Sequence, residues 1–131
     1  MDKLPIRTGD DVVRVRQQVR VVAAKSGLSL VDQTKVVTAA SELARNALVH
    51  GGGGLARVEV ITSALGKNGV RVGFTDEGPG ITDLDLALTD GWSSGAGLGL
   101  GLSGARRLVD EFELTSKPGT GTSVVVIKWS R

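Results

Sequence analysis

Two hairpin signatures restrict the fold most. Residues 55–65 (LARVEVITSAL) and 69–76 (GVRVGFTD) alternate apolar and polar side chains, as half-buried strands do. The turn Gly66-Lys67-Asn68-Gly69 joins them. Residues 112–117 and 122–129 repeat the pattern around Pro118-Gly119-Thr120-Gly121. Strands joined by so few residues must run antiparallel, because a parallel pair needs a crossover connection of about a dozen residues or more. A doubly wound parallel sheet is thereby disfavoured.

The rest of the chain supplies helices to cover that sheet. Residues 3–8 read as a short edge strand, since Pro5 lacks the N–H that a central strand uses. Thr8 or Asp10 can cap a helix that runs to about Ser26, with Val12, Val13, Val15, Val19, Val22 and Ala23 as its apolar stripe and Gly27 as its stop. Ser29 can cap a second helix, about residues 30–50. Its apolar positions Val36, Val37, Ala40, Leu43, Ala44, Ala47 and Leu48 recur at helical spacing, and the run Gly51–Gly54 ends it. A long segment from Glu77 to Gly101 precedes a third helix, about Leu102–Asp110. This order predicts an α+β sandwich: one mixed, mostly antiparallel sheet with helices packed on one face. A length of 131 residues suits a single domain, residues 1–131.

Composition closes off several function classes. Cysteine is absent, which removes disulfides and thiolate chemistry, and the lone His50 removes any site that needs two histidines. Sixteen basic and fourteen acidic residues give a net charge of +2 without a concentrated basic face, and only Phe74, Trp92, Phe112 and Trp129 are aromatic. Nucleic-acid binding is therefore not expected. No apolar run approaches the length of a membrane span, and the start MDKLPIRTGDD has no secretory apolar region, so a cytoplasmic, membrane-free protein is expected.

Four segments suggest chemistry. Glu42 and Asn46 lie one helical turn apart, with His50 one turn further, and a carboxylate beside a carboxamide oxygen can bind Mg²⁺; a solvated helix face gives the same pattern. Asp76-Glu77-Gly78-Pro79-Gly80 follows an apolar strand, where an aspartate can accept hydrogen bonds from a ligand amine and glycines allow close approach; a plain turn fits equally. Gly95–Gly101 opens a helix whose backbone amides could meet phosphate oxygens, but it lacks the lysine of a P-loop and the βαβ setting of a dinucleotide fold. Gly119-Thr120-Gly121-Thr122 reads alone as a hairpin turn.

Taken together and in this order, the four segments resemble the boxes of the GHKL, or Bergerat-fold, ATP-binding family shared by gyrase B, Hsp90, histidine kinases and MutL. Glu42…Asn46 resembles its N box, Asp76-x-Gly78-x-Gly80 the first glycine box, Gly97-x-Gly99-Leu100-Gly101-Leu102 the second, and Gly119-Thr120-Gly121-Thr122 the third. The phrases ELARNALVHGG, DEGPGI, LTDGWSSGAGLGLGL and ARRLVDEFELTSKPGTGT are similar to the anti-sigma-factor serine kinase group, and within it to RsbT-type kinases of stressosome scaffolds. Ser103 stands where that type has proline, and His50 where an aromatic is usual.

The resemblance implies a set of roles. Asn46 coordinates Mg²⁺ bridging the phosphates of ATP, with ADP as product; Asp76 accepts the adenine amino group; Gly78 and Gly80 give backbone room beside the base; Thr122 supports the same end. Gly97, Leu98, Gly99, Leu100 and Gly101 form the nucleotide-binding lid segment, and Glu42 is the general base toward a partner hydroxyl. Arg45 and Arg106 are weaker candidates for phosphate or partner contacts, and a plain surface role fits them better. The implied partners are a STAS-domain phosphoacceptor and a PP2C-type phosphatase. Two alternatives stay open: an anti-sigma factor that holds a sigma factor and phosphorylates its antagonist, and a nucleotide-bound module that activates a phosphatase by contact alone.

Overall fold

The computed structural model describes residues 2–76, 78, 101–117 and 121–131. Its elements are β1 (Asp2–Ile6), α1 (Gly9–Lys25), α2 (Leu30–Val49), β2 (Gly54–Thr62), β3 (Asn68–Asp76), α3 (Gly101–Arg107), β4 (Glu111–Lys117) and β5 (Gly121–Trp129). The glycine-rich positions Gly80, Gly97, Leu98, Gly99 and Leu100 lie outside the described residues.

Both long helices start where local hydrogen bonding dictates. Thr8, not Asp10, caps α1: its side chain accepts the Asp11 N–H while Asp11 Oδ2 accepts the N–H groups of Thr8, at 3.1 Å, and Arg7, at 2.9 Å. This reciprocal box satisfies donors that no helical carbonyl can reach. Ser29 caps α2 by accepting the Asp32 N–H at 3.1 Å. Between the helices the chain turns at Gly27, whose φ of 79° suits glycine.

The sheet runs in the order β1-β2-β3-β5-β4, and every pairing among the described residues is antiparallel, in line with the mostly antiparallel sheet expected from sequence. Its register builds the core row by row. Val58, Val72, Val126 and Phe112 stand side by side across β2, β3, β5 and β4. Leu4, Ala56, Phe74, Val124 and Leu114 form the next row across all five strands. These side chains meet Val15, Val19 and Val22 of α1 and Val36, Ala40, Leu43 and Ala47 of α2 in one apolar cluster. The alternate strand residues Arg57, Arg71 and Thr75 are exposed on the other face.

Element ends depart from the sequence reading for identifiable reasons. β2 stops at Thr62, not Leu65, because Ser63 turns the chain: its N–H donates to Lys67 O at 2.7 Å and its hydroxyl accepts the Lys67 N–H at 3.1 Å. Leu65 is left 93% exposed at the tip. α3 stops at Arg107, not Asp110, because the Asp110 N–H is taken by Ile127 O at 2.9 Å and its carboxylate by the Trp129 N–H at 2.8 Å. β1 covers residues 2–6, since Arg7 and Thr8 are committed to the helix cap. No helix among the described residues is long and apolar enough to cross a membrane.

Candidate nucleotide site

α2 carries its apolar stripe into the core and its polar margin to one end of the sheet. Glu42 and Asn46 sit on that margin, both half-buried. The Asn46 carbonyl accepts the N–H groups of His50, at 2.9 Å, and Gly51, at 3.3 Å, which closes the helix. Arg45 is exposed beside them.

The strand register delivers the other half of the site. Asp76 ends β3, and its direct partner on β5 is Thr122. On its other side Asp76 pairs with Gly54, the last glycine of the run and the first residue of β2. One carboxylate oxygen, Oδ1, accepts the Gly78 N–H at 2.9 Å. A carboxylate can accept about four hydrogen bonds, so Oδ2 retains capacity for a ligand donor. Thr122 Oγ1 lies 3.1 Å from Ser116 Oγ, which also donates to Gly121 O at 3.1 Å. Ser116 thus supports Thr122 from β4, a role that strand alternation alone does not reveal.

The structure joins the two halves through glycine. Gly51 stands directly against the Asp76 carboxyl carbon, and Gly78 stands against Gly51. In the sequence, Gly51–Gly54 reads as a helix stop, or as backbone kept free for close approach. The structure places Gly51 against Asp76, which lies far along the chain. α3, which Gly101 opens, packs against α2. Arg106 is exposed on α3.

The donor set bears on metal binding. Among the described residues no group of three or more His, Cys, Asp or Glu side chains could hold a metal ion alone. A carboxamide oxygen on Asn46 suits Mg²⁺, which keeps waters and takes substrate phosphate oxygens instead of a full protein cage.

Comparison with known proteins bears on the same segments. The family model described as histidine kinase-, DNA gyrase B-, and HSP90-like ATPase matches residues 31–130. The chain is 44% identical over 126 residues to the serine/threonine-protein kinase RsbT of Bacillus subtilis, covering 96% of this chain and 94% of that one. It is 27% identical over 117 residues to the anti-sigma F factor of Thermoanaerobacter sp., covering 87% and 82%. A solved structure of the RsbU and RsbW domains of a Mycobacterium tuberculosis protein superposes with a TM-score of 0.64 at 25% identity, over all of this chain and 33% of that one. The mycobacterial sensor histidine kinase MprB shares the fold, with a TM-score of 0.55 at 19% identity over 99% of this chain and 97% of its own.

Proposed function

Since the chain belongs to the histidine kinase-, DNA gyrase B-, and HSP90-like ATPase family, we propose that it is an ATP-dependent protein serine/threonine kinase that phosphorylates a STAS-domain partner and acts by partner switching. The observation that carries this reading is the near-full-length likeness to a serine/threonine kinase of the same size. The site chemistry agrees with it: acceptor groups, Asp76 and Thr122, stand side by side at one strand end, and a carboxylate stands one turn before a carboxamide on the adjoining helix.

In this reading Asp76 accepts a hydrogen bond from the adenine amino group, with Thr122 beside it, while Gly78 and Gly80 leave room for the base. Gly97, Leu98, Gly99, Leu100 and Gly101 follow the phosphates with backbone amides. Asn46 would hold a magnesium ion, which when bound would neutralise charge on the phosphate oxygens. Glu42 accepts the proton of a partner serine or threonine hydroxyl as its oxygen bonds to the terminal phosphorus and ADP leaves. Phosphoryl transfer depends mostly on positioning and charge stabilisation, so one base and a well-held nucleotide suffice. The added phosphate changes the partner's charge and releases the kinase, freeing it to engage a PP2C-type phosphatase. The likeness to an anti-sigma F factor supports a second reading, in which the released or captured protein is a sigma factor.

Incubation with labelled ATP, Mg²⁺ and a purified STAS-domain partner tests the proposal. Label should appear on serine or threonine of the partner, and Glu42→Ala should slow transfer by about 100-fold or more, the ordinary worth of a general base. Undiminished transfer by Glu42→Ala would remove Glu42 from the chemistry. Recovery of a sigma factor in a pull-down, in place of a phosphatase, would favour the second reading.

A further inference from the structure

Gly51 falls outside every box that the family resemblance assigns. The two glycines after it have clear backbone reasons, with φ of 73° at Gly52 and 115° at Gly53. Gly51 does not: its φ lies outside the left-handed region, so any residue could adopt it. What requires glycine there is space. A Cβ added at Gly51 would fall against the Asp76 carboxyl carbon, 2.6 Å from Asp76 Cβ and 2.8 Å from Ala47 O. A Cβ added at Gly78 would fall 2.6 Å from Gly51 Cα and 3.0 Å from the Gly51 carbonyl carbon and oxygen.

These neighbours have little freedom to withdraw. Ala47 O belongs to α2 and accepts the Gly53 N–H at 2.9 Å. Asp76 is held through Oδ1 by the Gly78 N–H and through its backbone by pairing with Gly54 and Thr122. Gly51 itself donates to Asn46 O at 3.3 Å. A continuous chain of contacts therefore runs Asn46, Gly51, Asp76, Gly78.

We infer that Gly51 is a positioning residue for recognition of the base: its missing Cβ sets how close the Asp76 carboxylate stands to the end of α2 that carries Asn46. The inference rests on the nucleotide-binding reading of Asp76 and Asn46. An alanine at 51 must displace either the carboxylate or the helix end. Because α2 is anchored along its length in the core, the carboxylate moves and the hydrogen bond to the 6-amino group is lost. The triphosphate end keeps its contacts.

Calorimetry with Mg·ATP and with Mg·ITP, which carries a 6-oxo group in place of the amine, tests this on the full chain. The wild-type protein should prefer ATP. Gly51→Ala should weaken ATP about tenfold or more, the worth of a hydrogen bond to a charged group, and leave ITP within about twofold, so that the preference collapses. Asp76→Ala, which removes the acceptor, should do the same, and the double variant should add little to either single change. Gly52→Ala is the control: it introduces a strained φ but meets nothing within 4 Å, so it should lower the melting temperature and keep the ATP preference. If Gly51→Ala does not fold, Gly78→Ala presses on Gly51 from the opposite side and should lower the ATP:ITP ratio, whatever room beside the base both nucleotides lose; an unchanged ratio there overturns the inference. A Gly51→Ala protein that folds and keeps the wild-type ATP:ITP ratio, or that loses both nucleotides equally, overturns the inference and leaves the site reading intact. Wild-type protein that binds neither nucleotide overturns the site reading, and the inference with it.

Discussion

Lys128 offers the sharpest test of what holds this fold together. It lies on the inward side of β5, only 3% exposed, where the strand pattern would place an apolar residue. Its ammonium is 3.2 Å from Asp110 Oδ1 and 3.7 Å from Asp32 Oδ1, and Arg131 closes the cluster at 3.0 Å from Asp110 and 3.7 Å from Asp32. Lys128→Met keeps the unbranched stem and deletes the charge, so little packing is lost. Two carboxylates then share a partly enclosed site with one exposed arginine. Breaking a buried pair by removing one partner costs about 3–5 kcal/mol. Asp110 is partly open and Arg131 remains, so the lower end applies, about 3 kcal/mol, or a fall in Tm of roughly 10 °C for a chain of this length. Urea titration monitored by circular dichroism measures it. Lys128→Met/Asp32→Asn should recover at least about 1 kcal/mol, because the orphaned charge is gone. A Lys128→Met protein within about 1 kcal/mol of wild type would refute the claim that the cluster is held by charge.

The remaining outcomes follow from cap chemistry and core packing. Asp11 titrates below the usual carboxylate range, chiefly because it accepts the Arg7 N–H, and so does Asp110, where the Trp129 N–H and the Lys128 and Arg131 charges outweigh burial that pushes the other way. With folded values depressed, their stabilisation is present above the unfolded value of about 4 and is lost as pH falls through the lower folded values. Urea midpoints should therefore drop below about pH 4, and Asp110→Asn should flatten that limb. Val72 is fully buried between Val58 and Val126, so Val72→Ala should cost about 2 kcal/mol in the same titration, with a negligible change implying that the sheet collapses onto the cavity.

Much of this architecture can be read from local chemistry. Thr8, Ser29 and Gly27 announce the helix ends because capping acts within a few residues. Both hairpins follow from alternation and turn residues. The placement of β5, not β4, beside β3 is not legible locally. It follows from burial: β5 offers Val124 and Val126 to the inner face, while β4 carries Glu111 and Glu113 and takes the edge. A lysine at position 128 reads as exposed until Asp32 and Asp110, distant in sequence, are seen around it. The N-box spacing of Glu42 and Asn46 is visible because one helix contains it. The need for glycine at 51 is invisible because it depends on Asp76 arriving from another strand.

α2 connects these two kinds of feature. Its first turn contributes Asp32 to the charged cluster, its middle fills the core, and its last turn carries Asn46, whose carbonyl accepts the N–H of Gly51, the residue that lies against Asp76. β5 spans the same length, from Thr122 at the candidate site to Lys128 in the cluster. Six residues at about 3.3 Å each separate those ends by roughly 20 Å. Exchange at Lys128 removes a charge beyond the screening distance of the site and changes no contact of Asp76. Lys128→Met should therefore lower Tm while the ATP:ITP preference stays at its wild-type value, whereas Gly51→Ala should abolish that preference. If both substitutions shift the preference together, α2 moves as one rigid lever, and recognition of the base depends on the whole core instead of on the glycine contact at its end.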